Sequence, residues 1–254
     1  MTSTGVALSN FRQNLRQIMS SPVSWAWVAV ILGVQALVMA VGGPDQQPAN
    51  SWFETFGLSR HGVFAGGIWQ IFSYGFLHAG WWHAGLNALF VLLIGSRIEY
   101  VAGRMAVMKA MIFGVIGGGI GHLTLAPGGT DAPLLVGISG GCLALLLLLT
   151  TLSPQSRMLP LPMSGKNLGL GILMAELTMA LMNPALGVPG FSKLGERLVD
   201  HGVGAWFDIG HACHFGGGLA GWLLGRWMLR PRITLERLRR ERERQEANGS
   251  GPTG

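Results

Sequence analysis

From His61 to Ser96 the chain carries no aspartate, glutamate, lysine or arginine. A water-soluble domain seldom leaves so long a stretch uncharged, because its exposed faces are covered largely by polar side chains. The scarcity extends to the whole sequence. Only 12% of the 254 residues are charged, against about 25% in an ordinary soluble chain. Together these facts select a membrane protein, in which length is read as a number of spanning helices rather than of domains.

Crossing ~30 Å of hydrocarbon takes roughly 20 apolar residues in a helix. Trp25 to Gly43 meets this with no charge at all. A second span fits Trp81 to Ser96, a third Met105 to Ala126, and a fourth the leucine-rich run Leu135 to Leu152. A fifth fits Leu168 to Met182, interrupted only by Glu176, and a sixth Ile209 to Met228. The expectation is an all-α membrane protein of six transmembrane helices. It divides into an N-terminal segment (1–23), a membrane domain (24–229) and a charged tail (230–254). The first span is not read as a signal peptide. Its polar leader, with Arg12 and Arg16, is long, and no small-residue cleavage site clearly follows.

Basic residues set the orientation. Arg12 and Arg16 precede span one; Arg97, Arg104 and Lys109 lie between spans two and three or just inside the third; Arg157 and Lys166 separate spans four and five; the arginine tail follows span six. All fall on one side, assigned to the cytoplasm of a cell (inner) membrane. The opposite loops are poor in positive charge, so both termini are expected inside, and spans two, four and six run from outside inward. The net charge of +6 is no nucleic-acid signal, because eight of the 18 basic residues lie from Arg226 onward, beside the bilayer. Ile233 to Glu246 reads as a solvated charged helix, with Ala247 to Gly254 disordered. Cys142 and Cys213 sit in apolar segments and are expected as buried free thiols.

The shared direction of spans two, four and six places their first polar residues near the outer surface. These are His83 and Asn87, Ser139, and His214. Taking span six from Asp208 puts His214 six residues in, about 9 Å deep at 1.5 Å per residue. Ser139, six residues past Pro133, reaches a similar depth if helical. Polar groups so placed face a protein interior or a water cavity.

Three motifs surround these residues. Gly137-Ile138-Ser139-Gly140-Gly141 offers either close helix packing or a serine with free backbone donors around it. Gly217, Gly221 and Gly225 form a small-residue stripe that continues from His214 and fits the Gly140–Gly141 face of span four. His214 is then either a satisfied interior histidine or the base that a serine nucleophile needs. His211 competes for that role but lies off the stripe. In the third motif, His83 and Asn87 are four apart on one helical face. They either bond across helices or donate, with the Ser139 amide, to a developing oxyanion. A metal held by His78, His83, His211, His214 or Cys213 is not expected. No His-Glu-x-x-His pattern occurs, and the one acid near these histidines in sequence is Asp208.

Taken in order, these elements resemble the rhomboid proteases. His78/His83/Asn87 match His-x4-His-x3-Asn, Gly137/Ser139/Gly140 match Gly-x-Ser-Gly, and His214/Gly217/Gly221 match His-x-x-Gly-x-x-x-Gly. Gly95, Glu99 and Gly103 match Gly-x3-Glu-x3-Gly. The resemblance runs from about Trp69 to Gly225. It implies a six-helix rhomboid-like bundle and a Ser139–His214 dyad with no third acid. It also implies that Ser139 is the nucleophile, that His214 is the base, and that other proteins' transmembrane segments are cleaved. Span five and the loop after it would gate access. No cofactor follows from it, and it does not indicate an oligomeric state. One departure is Trp69-Gln70, where the family commonly has Trp-Arg for first-loop anchoring. Glu176 is expected to be structural, at a depth below the dyad. A non-catalytic scaffold that binds transmembrane helices is the alternative. A transporter is weaker, because no inverted repeat is visible.

Overall fold

The structure is a computed structural model that describes residues 12–47, 49–128, 134–157, 162–230 and 235–249. The described residues are overwhelmingly helical, and only two isolated β-bridges occur among them, Leu58 with Leu135 and Arg157 with Ser164. Six long helices carry the bundle: α1 (Pro22–Ala40), α2 (Trp81–Ala102), α3 (Arg104–Leu125), α4 (Ser139–Leu152), α5 (Gly165–Met182) and α6 (His211–Met228). The charged α7 (Leu235–Gly249) follows.

Local chemistry sets several boundaries. Pro22 opens α1, where its missing N–H and fixed φ cost nothing. Gly103, at φ +86°, breaks the chain between α2 and α3. The Ser164 hydroxyl accepts from the Asn167 amide and caps α5. A π-helical turn, Val91–Gly95, lies inside α2.

Helices α1, α2 and α3 are each long and apolar enough to cross a membrane. Of the boundaries that differ from expectation, two stand out. Helix α2 continues to Ala102, carrying Arg97 and Glu99 within it. Helix α4 begins at Ser139 rather than Leu135. The preceding residues are not helical: Leu58 and Leu135 exchange backbone hydrogen bonds at 3.0 Å, and Gly137, at φ +108°, turns the chain into the helix. Helix α4 is therefore 14 residues long. It is also central, with Leu145 and Leu148 fully buried.

Helix α6 is seated between α3 and α4, and glycine makes this possible. A Cβ at Gly217 would overlap the backbone of Gly140, and one at Gly221 would overlap Ala144. This is the contact the stripe suggested. A second seam lies behind it, where Gly216 meets Gly117 and Gly121 of α3 so closely that no side chain fits. Helix α3 also meets α4, through Gly114 against Gly140 and Gly141.

Two polar ties fix the remainder. Glu99, near the end of α2, accepts from the amides of Val23 and Ser24 at 3.3 and 3.1 Å and from the Ser24 hydroxyl at 3.1 Å. It thus satisfies the free N–H groups opening α1. In the first loop, buried Gln70 donates to the carbonyls of Glu54 and Thr55, both at 3.3 Å, and accepts from the Ser59 amide at 3.3 Å. Trp69 Nε1 adds a bond to Thr55 O at 2.9 Å. The glutamine thus anchors the loop, although the arginine common in this position is missing. In the tail, helix reaches Gly249, past the Ala247 at which disorder was expected; residues 250–254 lie outside the described residues.

Candidate active site

Ser139 is the first residue of α4, so its amide has no intrahelical acceptor. The serine thus sits at the mouth of its helix rather than six residues inside one. His214 is the fourth residue of α6, about one turn in, because that helix begins at His211 and not near Asp208. The close Gly217–Gly140 contact brings the two helix openings together. Ser139 Oγ lies 2.9 Å from His214 Nε2. His211 does not meet the serine. It turns away, with Nε2 3.0 Å from the carbonyl oxygen of Trp206.

His83 and Asn87 lie on α2, and both border Gly137, two residues before the serine. A Cβ on Gly137 would fall 2.7 Å from His83 Nε2 and 3.7 Å from Asn87 Nδ2. The Asn87 amide nitrogen is buried without an acceptor, while its Oδ1 receives a long contact of 3.7 Å from the Cys142 thiol. Buried donors are rarely left unpaired, and an unpaired one next to a candidate nucleophile is a group waiting for an acceptor. His78 is fully buried and sets its ring edge-on to His83, with centroids 5.0 Å apart. Cys142 and Cys213 are buried and free, as expected. Cys213 lies 3.4 Å from the Tyr74 hydroxyl, which donates to Val115 O at 2.7 Å.

Sequence reasoning missed the place of Glu176. It does not lie below the serine and histidine. Its Oε1 accepts from His214 Nδ1 at 3.3 Å, and its Oε2 accepts from His211 Nδ1 at 2.6 Å. The acid distant in sequence is thus the one at the site, whereas Asp208 is exposed. The available signal was its position as the single charge inside an apolar span. What could not be read was which way it faces, since α5 has apolar residues all round. Donor atoms of Glu176, His211 and His214 lie within 4.8 Å of one another. However, 2.6 Å between the first two is a proton-sharing distance. It is shorter than the roughly 3.3 Å that separates two ligands of one tetrahedral zinc, so the trio reads as a hydrogen-bonded cluster.

These long apolar helices, three of them able to cross a membrane by length and composition, define a multi-pass membrane protein. The family model for the Rhomboid domain matches residues 65–231, more than half of the chain, and the protein belongs to the rhomboid family. It is similar to human Rhomboid-related protein 3, with 35% identity over 88 residues, which is 35% of this chain and 21% of that relative. The matched stretch therefore spans about a fifth of the relative's length.

Proposed function

We propose that this protein is an intramembrane serine endopeptidase that cleaves transmembrane segments of other membrane proteins, with Ser139 as nucleophile and His214 as base. The observation that carries the reading is the 2.9 Å contact between Ser139 Oγ and His214 Nε2 at the joined mouths of two helices. Family membership supports it, as do the free donors beside it.

In this mechanism Ser139 Oγ attacks the scissile carbonyl carbon as its proton passes to His214 Nε2. The oxyanion settles among the Ser139 amide, His83 and the unpaired Asn87 Nδ2. His214 then gives the proton to the leaving amine, and water hydrolyses the acyl-enzyme. Ser139, His83 and His214 are all partly exposed, which water and an extended peptide both require. All six helices α1 to α6 are taken as spans of a cell membrane, the inner one in a cell with two, with both termini cytoplasmic and residues 24–229 as the membrane domain. The basic residues support this orientation. The remaining partners are the bilayer and transmembrane protein substrates, with no nucleic acid.

Labelling with a fluorophosphonate tests the reading without a known substrate. The wild-type chain is expected to label on Ser139, and Ser139→Ala and His214→Ala to abolish labelling. A non-catalytic scaffold would give no labelling in any of the three, and labelling that survived both substitutions would dismiss the pair.

A further inference from the structure

Glu176 holds two imidazoles at once, and the far nitrogens of those rings face opposite kinds of partner. His211 has an acceptor on both sides, Glu176 Oε2 at 2.6 Å and the carbonyl oxygen of Trp206 at 3.0 Å. Both contacts can be hydrogen bonds donated by the ring only in its doubly protonated form, whereas a neutral ring serves one acceptor at a time. His214 lies between a carboxylate oxygen at 3.3 Å and a hydroxyl at 2.9 Å. There the proton belongs on Nδ1, toward the carboxylate, leaving the Nε2 lone pair for the serine. One acid thus faces two histidines three residues apart, and the far nitrogens of their rings meet a carbonyl oxygen in one case and the serine hydroxyl in the other.

We propose that Glu176, with its charge balanced by His211, is the positioning acid for His214, so that this chain works with a serine–histidine–glutamate set where the family resemblance implies a pair. The proposal rests on the serine-protease reading above. Glu176 fixes the tautomer and orientation of His214 in the resting state. When the Ser139 proton moves to Nε2 and the Oγ–carbon bond forms, His214 becomes an imidazolium facing a carboxylate. When the carbon–nitrogen bond breaks, that proton leaves on the amine and His214 is neutral again. His211 keeps the half-buried carboxylate from standing uncompensated in an apolar span.

Among the described residues, the other groups around His214 are few. Helix α2 contributes His83, α4 the Ser139 hydroxyl, and α5 Glu176. Helix α3 presents Gly117 and Gly121 to α6, and on α6 itself the neighbours are His211 and buried Cys213. Asp208, ahead of the helix, is exposed.

The test is the rate of Ser139 labelling by a fluorophosphonate from roughly pH 5 to pH 9, with the full chain in liposomes. Glu176→Gln removes the negative charge. It is expected to lower the plateau rate on the order of 10²-fold and to move the acid limb of the profile to lower pH. His211→Asn keeps a donor for Oε2 but removes the positive charge. It is expected to cost less than about 10-fold at the plateau and to move the acid limb to higher pH, on the order of one unit. Opposite displacements are the signature, since a packing defect lowers the amplitude without moving the limb. Limbs that coincide with wild type in both variants overturn the proposal. If Glu176→Gln does not fold, an unmoved limb in His211→Asn alone overturns it. Wild-type protein that never labels, or labelling that persists in Ser139→Ala, would instead sink the protease reading underneath.

Discussion

Gly217 lies so close on Gly140 that a methyl group at the former would sit 2.6 Å from the Cα of the latter. That approach, together with Gly221 against Ala144 one turn on, sets the distance between α4 and α6, and hence the reach from His214 to Ser139. Gly217→Ala is therefore expected to push the helices apart, at a cost of about 1–3 kcal/mol of stability. It should reduce fluorophosphonate labelling far more than that cost alone explains. Gly171→Ala is the control, because nothing lies within 4 Å of a Cβ there. Equal labelling in the two variants would show that the glycine seam does not set the site.

Much of this was legible in the sequence. Residues that repeat every three or four positions in an apolar helix can only form a stripe, so Gly217, Gly221 and Gly225 announced a close contact, and His214 followed from them. The start of α4 was not legible, because Leu135 and Val136 are as apolar as the leucines beyond. Pairing of Leu135 with Leu58 and of the Gly137 amide with Tyr74 O, both distant in sequence, keeps them out of the helix. Glu176 was visible as an anomaly without a partner. Its neighbours arise from the rotation of α5 about its own axis, and a helix apolar on every side leaves that rotation unmarked. Gln70 shows the converse, where a departure from the family pattern retained the anchoring role through different hydrogen bonds.

The unpaired Asn87 Nδ2 gives a prediction in which activity and stability part company. A buried donor with no acceptor costs folding energy, so Asn87→Ala should leave thermal stability unchanged or slightly raised. If the amide serves the oxyanion, peptide cleavage should fall by roughly 10²–10³ in kcat with little change in KM. A fall in both stability and kcat would assign Asn87 to packing instead.

Glu99 is expected to matter for stability alone. It accepts three hydrogen bonds at the start of α1, and Arg104 lies 3.6 Å from its Oε1. Glu99→Ala leaves the Val23 and Ser24 amides without that acceptor, at a cost of about 2–3 kcal/mol. Unfolding in detergent should report the loss. Glu99→Gln should recover part of it, since an amide oxygen still accepts. The labelling rate of the folded fraction should remain that of wild type, because Glu99 touches nothing at the site.

His78 supplies a pH dependence separate from catalysis. It precedes α2 and is fully buried, and burial, with His83 beside it, lowers its pKa from 6.5 to about 4. Between those values the unfolded chain binds a proton that the folded chain refuses. The stability associated with neutral His78 is therefore complete above about pH 6.5, is lost as pH falls toward 4, and declines no further below that. The full loss is about 3 kcal/mol. Thermal unfolding of Ser139→Ala across this range isolates the effect from turnover. Adding His78→Gln to that background should flatten the slope between pH 6.5 and pH 4. An unchanged slope would mean that other groups carry the acid sensitivity.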